Sequence, residues 1–454
     1  MLATVPLQVF RYLPLFICLL LACSCAKKHP VPQQHLSPEV EIADLREFPQ
    51  NLENYAREYG ASRRLLPEYQ QASMDSTFDS IWFGPWFMKR CTIPRREVSG
   101  VFGRARGYKN GSIAWTEPEW TTMKENANIG SFPSRASHAI TLRATDLREL
   151  PTHEPRFAKP TPNPSLDPFD YFQYSALPPG MPLLVAHTTK DGLWHYVECP
   201  IAGGWADASD IAIVDDNFKS QWRTGHYAAL IRDGVTLPGT GKNGTDSKAN
   251  IGTILPLAPG SSGNMRNILL PVRGKQGLEI AETALPNDAL ARKPMPLTPG
   301  NVARVGNQMM GQKYGWGGMN GLRDCSAMIR DLFAPFGIWL PRNSAAQARR
   351  GSVIRLDNMS MSEKSAAILK DGVPFLSLIG LPGHITLYVG RWHDKPAIFH
   401  NVWGVRIIKD GNDDERHIIG KAVVTSIAPG MELPNLYRTR TFVDRIRSLN
   451  TPGK

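Results

Sequence analysis

The chain has 454 residues, which is too long for one ordinary core and predicts roughly two to four domains. Its 52 Lys and Arg residues outnumber its 41 Asp and Glu residues, giving a formal net charge of +11. No basic run, zinc spacing or aromatic-interleaved basic motif accompanies that charge, which argues against nucleic acid as a partner. An anionic cell-wall polymer or a membrane surface fits the charge better.

Residues 1–22 are predicted to be an export signal, because one Arg precedes an apolar run too short to span a bilayer. The run "LLAC" ending at Cys23 resembles the lipobox at which bacterial lipoproteins are cleaved and acylated, and this implies a lipid on Cys23. Ser24 after it implies the outer membrane. An uncleaved anchor and a secretory signal cut near Ala26 stay open. We therefore expect a periplasmic protein held to the membrane through Cys23.

The next segments predict a tether and a helical domain. Residues 23–39 are polar and Pro-rich, as in a tether. Residues 40–156 predict an N-terminal, mostly helical stabilising domain that begins with helical patterning over 45–69. The aromatic run "FDSIWFGPWF" is expected to pack in a core or between domains and is assigned no chemistry.

Short β-branched runs split by Pro and Gly follow, and they predict two small SH3-like β-barrels in tandem, over 157–215 and 216–287. The closing runs of both resemble the ends of bacterial SH3 domains. Residues 288–300 are Pro-rich and predict a linker. A last domain is expected over 301–434, with a tail over 435–454. The fold class is therefore multidomain.

The sequence "DCSAMIRDLF" predicts a helix in the last domain. Asp324 is a good N-cap, and the apolar residues after it fall on one helical face. Cys325 would then occupy the first turn, where unpaired N–H groups and the helix dipole favour a thiolate. The upstream "YGWGG" provides chain that can pass close to this site without side-chain bulk.

Residues 381–404 predict a β-hairpin that carries two histidines. A turn centred on Trp392 would place His384 directly opposite His400, whereas a turn centred on Asp394 would offset them by four residues. Cys325 as nucleophile, His384 as base and His400 as orienting group would form the site of a cysteine hydrolase. A structural thiol, hydrogen-bonded strand histidines and a zinc site lacking its fourth ligand are the alternatives.

Four ordered motifs, "YGWGG", "DCSA", "GHITLYVG" and "HNVWG", resemble the NlpC/p60 superfamily of cell-wall cysteine peptidases. The resemblance implies a papain-like α+β domain with Cys325 as nucleophile, His384 as base and His400 as the third residue. It also implies substrate contacts from further residues, which are Tyr314, Asp324, Ser326 and, after the "PR" pair, Asn343 and Ser344. Asn343 stands where an acidic residue would bind a free amine, and Asn carries no charge to neutralise one.

The succession of domains is similar to wall peptidases built from a stabilising domain, two bacterial SH3 domains and a catalytic domain. This implies an endopeptidase that needs no cofactor or metal and cuts the bond between γ-D-glutamate and the diamino acid of peptidoglycan stem peptides. Peptides with a free N-terminal L-alanine are the implied substrates, and we expect a monomer. A catalytically retired peptidoglycan-binding lipoprotein and an N-acetylmuramoyl-L-alanine amidase are the alternatives.

Overall fold

The computed structural model describes residues 41–161, 168–260, 263–275, 277–409 and 411–454. Residues Glu41–Lys454 form one compact unit. The predicted signal, the lipidation site at Cys23 and the tether lie outside the described residues. Within those ranges, no helix combines the length and the apolar character needed to cross a membrane.

The N-terminal region is helical, as predicted, and its aromatic run is buried against the first barrel at Phe78, Trp82 and Trp86. The segment 45–69 is interrupted rather than continuous, since Pro49 follows the first helix and Gly60 turns the chain with φ +76°. The helices are α1 (Ala43–Glu47), α2 (Glu53–Glu58), α3 (Glu68–Trp82), α4 (Arg95–Gly100) and α5 (Glu117–Ala127).

The first barrel is a seven-stranded antiparallel sheet, with the order β3-β2-β6-β5-β4-β1-β7. Its strands are β1 (Ser137–Thr141), β2 (Thr145–Arg148), β3 (Gln173–Leu177), β4 (Pro182–Thr188), β5 (Trp194–Glu198), β6 (Gly203–Asp207) and β7 (Ile211–Ile213). Because β1 and β2 belong to this sheet, it begins before the predicted boundary at residue 157. Polar and apolar residues alternate only weakly in the run "SHAIT". This segment forms strand β1 because it pairs with β4 and β7.

The second barrel follows α6 (Asp216–Trp222), and its strands divide among three small sheets instead of repeating one closed sheet. Its strands are β8 (Tyr227–Leu230), β9 (Val235–Leu237), β10 (Ser247–Ala249), β11 (Ile254–Pro256), β12 (Met265–Gly274), β13 (Gly277–Pro286) and β14 (Leu290–Arg292). Since β14 pairs with β8, the predicted linker starts inside this sheet. Lys293 next to it is buried against Asp75 and Asp79, at 2.5 and 2.6 Å.

The last domain packs helices on both sides of a six-stranded antiparallel sheet with the order β15-β20-β16-β17-β18-β19. Its helices are α7 (Pro299–Asn307), α8 (Cys325–Phe333), α9 (Ser344–Gln347) and α10 (Met361–Asp371). Its strands are β15 (Ser352–Arg355), β16 (Leu378–Leu381), β17 (His384–Trp392), β18 (Lys395–Lys409), β19 (Asn412–Ser426) and β20 (Ser448–Thr451). The predicted tail over 435–454 is wrong, because β20 lies inside the sheet between β15 and β16.

Both faces of strand β17 are buried. Ile385 and Leu387 pack in a core with Met328 of α8, and Tyr388 packs in a second core with Ile368 of α10. This double burial fixes the start of β17 beside the start of α8. The candidate site lies at that junction.

Candidate active site

Cys325 opens helix α8, as predicted, and is 6% exposed. The Asp324 side chain caps the helix by accepting a hydrogen bond from the Ala327 N–H at 2.9 Å. The backbone N–H of Ile385, the residue after His384, is directed at the Cys325 sulfur. The fold thus brings the thiol to the first residues of β17.

The two histidines meet, although the hairpin adopts neither of the two registers considered. Trp392 lies opposite Lys395, and farther from the turn Leu387 lies opposite Phe399. Continued to the strand end, this register offsets His384 from His400 by two residues, which keeps both on one face. Nε2 of His384 and Nδ1 of His400 are 2.9 Å apart.

A β-bulge between Tyr388 and Gly390 produces that shared face. The register at the turn, if continued, would offset the histidines by three residues and point them to opposite faces. The extra residue, Val389, shifts the register by one residue, so that both histidines lie on the same face of the hairpin. Gly390 has φ +121°, and a Cβ there would fall 2.3 Å from the Tyr59 ring, so this position requires glycine.

Hydrogen bonds beyond the histidines determine which ring nitrogens carry protons. Thr425 Oγ1 donates to the Ser426 carbonyl at 2.8 Å and must therefore accept from His400 Nε2, which lies 3.0 Å away. Because His400 is neutral, its Nδ1 accepts the proton of His384 Nε2. Nδ1 of His384 is left with a free lone pair, which is the form a general base requires.

The electrostatics favour a neutral thiol and a neutral imidazole at rest, so the predicted thiolate is not the resting form. Burial and then the Asp324 carboxylate raise the pKa of Cys325 to about 12, which outweighs the helix start. Burial and then the Arg445 guanidinium lower the pKa of His384 to about 3. Burial and then His384 lower the pKa of His400 well below its usual value.

The predicted substrate-binding carboxylate Asp324 is already paired. Nη2 of Arg342 lies 2.6 Å from it, and Nη1 of Arg342 also donates to Ser326 Oγ at 2.9 Å. Burial acts to raise the pKa of Asp324, but Arg342 and the cap hydrogen bonds hold it below its usual value. Asn343 is exposed and caps α9 by accepting from Ala346 N–H at 2.8 Å, and half-buried Ser344 follows it.

Tyr314 lies beside the thiol in a wall of aromatic rings drawn from two domains. Burial raises its pKa, and the neighbouring Cys325 and Asp324 groups raise it further. Tyr314, Trp316 and Trp403 of the last domain meet Phe169 and Tyr171 of the first barrel, with neighbouring ring centroids 5.1–6.2 Å apart. The first barrel therefore forms part of the wall.

The glycines of "YGWGG" have a different use from the predicted one. Gly317 has φ +62° and Gly318 has φ +84°. A Cβ on Gly317 would fall 2.5 Å from the Gln173 side chain, and one on Gly318 would fall 3.0 Å from Ala176. These glycines let strand β3 of the first barrel dock beside the site.

Sequence reasoning missed four residues that contact or support this site. Arg342 is the Arg of the "PR" pair, and Trp403 belongs to "HNVWG", so both had a local signal. Thr425 had none, because only strand pairing brings it to His400. Phe442, whose ring packs on His384 and His400 at 5.6 and 5.5 Å, falls in the segment predicted to be a tail.

The remaining described cysteines lie elsewhere, and Cys91 and Cys199 are both free thiols. Burial raises the pKa of each to about 11. No group of three or more His, Cys, Asp or Glu side chains in the described ranges is placed to hold a metal ion. Cys325 thus differs from the other two thiols in its place at a helix start, where the N–H of Ile385, the residue after His384, is directed at it.

Four family models cover most of the chain in order. Residues 13–132 match the N-terminal NLPC_P60 stabilising domain, 155–207 an SH3 domain of the SH3b1 type and 215–261 an SH3 domain of the SH3b2 type. Residues 311–411 match the NlpC/P60 family, and that range contains Cys325, His384 and His400. The last domain is an NlpC/P60 domain. This confirms the predicted family and the multidomain fold with two SH3 domains.

Known proteins share parts of this architecture. An NlpC/P60 endopeptidase from Photobacterium damselae subsp. piscicida has a similar fold, with a TM-score of 0.79 at 23% identity, over 90% of this chain and 98% of that one. A gamma-D-glutamyl-L-lysine dipeptidyl-peptidase from Bacillus subtilis (strain 168) is 29% identical over 105 residues. That match covers 23% of this chain and 33% of the relative, so the chain spans about a third of it.

Proposed function

We propose that the protein is a cysteine endopeptidase that hydrolyses the bond between γ-D-glutamate and the diamino acid of peptidoglycan stem peptides. The observation that carries this proposal is the hydrogen-bonded chain His384, His400 and Thr425, whose neutral imidazole precedes Ile385, the residue with its N–H directed at the buried Cys325 sulfur. The NlpC/P60 domain and the similarity to a γ-D-glutamyl-L-lysine peptidase support the choice of bond.

The reaction would begin when substrate enters and Nδ1 of His384 takes the thiol proton. Sγ of Cys325 then attacks the γ-carbonyl carbon of D-glutamate, and the helix-start N–H of Cys325 stabilises the oxyanion. The intermediate collapses to a thioester as His384 returns the proton to the leaving amine. Water, deprotonated by His384, hydrolyses the thioester and restores the thiol.

We also propose that a free N-terminal amine on the substrate is not required. The sequence implied a free L-alanine, but Asp324 is neutralised by Arg342 at 2.6 Å, and exposed Asn343 carries no charge. The rings of the aromatic wall carry no charge either. Anchoring in the periplasm through Cys23, at the outer membrane, remains a proposal that rests on the N-terminal sequence alone.

To identify the bond that is hydrolysed, the protein is incubated with a disaccharide tripeptide muropeptide and the products are identified by mass spectrometry. We expect release of the diamino acid from the disaccharide-linked L-alanyl-D-glutamate. Release of the intact tripeptide from the sugar would instead identify an amidase. Binding to peptidoglycan without any cleavage would identify a retired peptidase.

The Thr425 hydroxyl is expected to position the catalytic tautomer. Thr425→Val keeps the shape but removes the acceptor for His400 Nε2–H, and we expect kcat to fall about 10- to 100-fold with KM unchanged. Thr425→Ser keeps the hydroxyl and should restore most of kcat. Nitrogen NMR of the imidazoles should show the changed tautomer in Thr425→Val only. Equal losses in the two variants would contradict this role.

The pH dependence follows from the pKa directions of the pair. Because the pKa of His384 is lowered to about 3 and that of Cys325 is raised to about 12, the pair holds a single proton throughout the range between them. We therefore expect kcat/KM to stay nearly flat from about pH 5 to pH 9. An acid limb near the ordinary histidine pKa, about 6.5, would contradict this assignment.

A further inference from the structure

The segment 438–447 brings arginines to the edge of the histidine pair. Arg440 and Arg445 lie in two short 3-10 turns, Arg438–Arg440 and Val443–Arg445. Between the turns, the Phe442 ring packs on His384 and His400. The Arg445 guanidinium donates at 2.5 Å to the carbonyl of Pro382, two residues before His384. We call Arg440 and Arg445 the arginine rim.

Further guanidinium groups surround the rim. Arg406 and Arg416 lie directly opposite each other on β18 and β19, and the Arg406 guanidinium lies 4.4 Å from the Tyr437 ring centroid. Burial, then Arg440 and then the other nearby arginines lower the pKa of Arg445, which shows how closely these charges gather. Like charges so close repel one another, and a bound anion would relieve that repulsion.

Among the side chains that the structure describes, no carboxylate pairs with the rim. Asp444, the acidic residue within the segment, accepts hydrogen bonds from Thr441 N–H and Oγ1 at 2.8 and 2.7 Å. Across the described ranges, neither Arg440 nor Arg445 forms an ion pair with Asp or Glu. Arg447, in contrast, pairs with Asp357 at 3.5 Å. The rim can therefore bind an anion without breaking an existing ion pair.

The proposed reaction places a particular anion at the rim. His384 must reach the leaving nitrogen to protonate it, so the residue that leaves lies against His384 and, next to it, Arg445. In the proposed substrate that residue is the diamino acid, whose α-carboxylate is one carbon from the leaving nitrogen when it ends the peptide. Guanidinium groups recognise carboxylates through paired, charge-assisted hydrogen bonds.

We infer that Arg440 and Arg445 form a carboxylate-binding subsite for the diamino acid on the leaving side of the scissile bond. The inference rests on the proposed function and deepens it, because it names the preferred substrate class. Stem peptides that end at the diamino acid would be favoured over those in which its α-carboxyl group is amidated.

The test compares L-alanyl-γ-D-glutamyl-diaminopimelate with the same peptide carrying an α-carboxamide on diaminopimelate, at pH 7.5. The wild-type protein should favour the carboxylate in kcat/KM by about 10- to 100-fold. Arg440→Gln combined with Arg445→Gln should remove that preference, so that the two peptides are cleaved with similar kcat/KM. Circular dichroism checks that the variant is folded. The matched control Arg447→Gln should keep the preference.

Two results would overturn the subsite. One is equal cleavage of the two peptides by the wild-type protein, and the other is an equal loss on both peptides in the double variant. Cleavage of neither peptide by the wild-type protein would instead overturn the proposed function, and the subsite with it. Failure of the subsite and failure of the function are therefore distinguishable.

Discussion

Cys325→Ala should lower turnover of stem peptides by at least about 10,000-fold and leave the fold unchanged. In the proposed mechanism the sulfur forms the thioester, and neither His384 nor water can replace it in that step. Alanine fits the site, because Cys325 is already packed among apolar residues at the start of α8. Peptide release measured by mass spectrometry, with circular dichroism for the fold, checks this prediction.

The matched control is Cys91→Ala. Cys91 is a half-buried free thiol whose pKa is also raised, to about 11, and it lies outside the candidate site. This variant should keep wild-type turnover. Retained turnover in Cys325→Ala would show that the thiol is not the nucleophile.

The second large effect is expected at Arg323, which joins the second SH3 domain to the catalytic domain directly before Asp324 and Cys325. The residue is 2% exposed. It binds Asp233 of the second SH3 domain through two hydrogen bonds of 2.7 and 2.8 Å, and Asp331 of α8 through one of 2.8 Å. Arg323→Met would leave both carboxylates without this partner, at an expected cost of about 3–5 kcal/mol in unfolding free energy.

Denaturant unfolding followed by fluorescence measures that loss. Arg355→Met is the matched control, since Arg355 also pairs with an aspartate, Asp357, but its side chain is 82% exposed. A surface pair of this kind contributes only about 0–1 kcal/mol. Arg323→Met combined with Asp233→Leu should recover part of the stability, because it removes one of the two carboxylates that lost their partner. Unfolding of Arg323→Met at the wild-type denaturant concentration would contradict the prediction.

Local patterns predicted the parts of the site that depend on nearby residues. The cap Asp324, the helix that begins at Cys325 and the hairpin that carries His384 and His400 all follow from short-range spacing and turn residues. The resemblance to NlpC/p60 peptidases added the order of the motifs. These features need no knowledge of how the domains pack.

Features that depend on the pairing of distant strands could not be predicted from the sequence. The bulge at Val389 changes the hairpin register by one residue, and no residue type near it predicts a bulge there. Thr425 reaches His400 only because β19 pairs with β18. Strand β20 inserts between β15 and β16, so a segment predicted to be a tail supplies both a central strand and the ring of Phe442.

The charge state of the Cys325 thiol also could not be predicted from the neighbouring sequence. A helix start favours a thiolate, but the sequence does not show how deeply the sulfur is buried. Burial and the Asp324 carboxylate together raise the pKa of Cys325 and outweigh the helix start. The same carboxylate is neutralised by Arg342, a contact that also depends on tertiary packing.

The central claim is tested most directly by incubating the purified protein with L-alanyl-γ-D-glutamyl-diaminopimelate and with its N-acetylated form, and identifying the products by mass spectrometry. Release of diaminopimelate from both peptides is the predicted result, since the γ-D-glutamyl bond is cut and no free amine is required. Release from the free-amine peptide alone would support the endopeptidase but contradict the proposed independence from the amine. If neither peptide is cleaved, the proposed peptidase function is wrong.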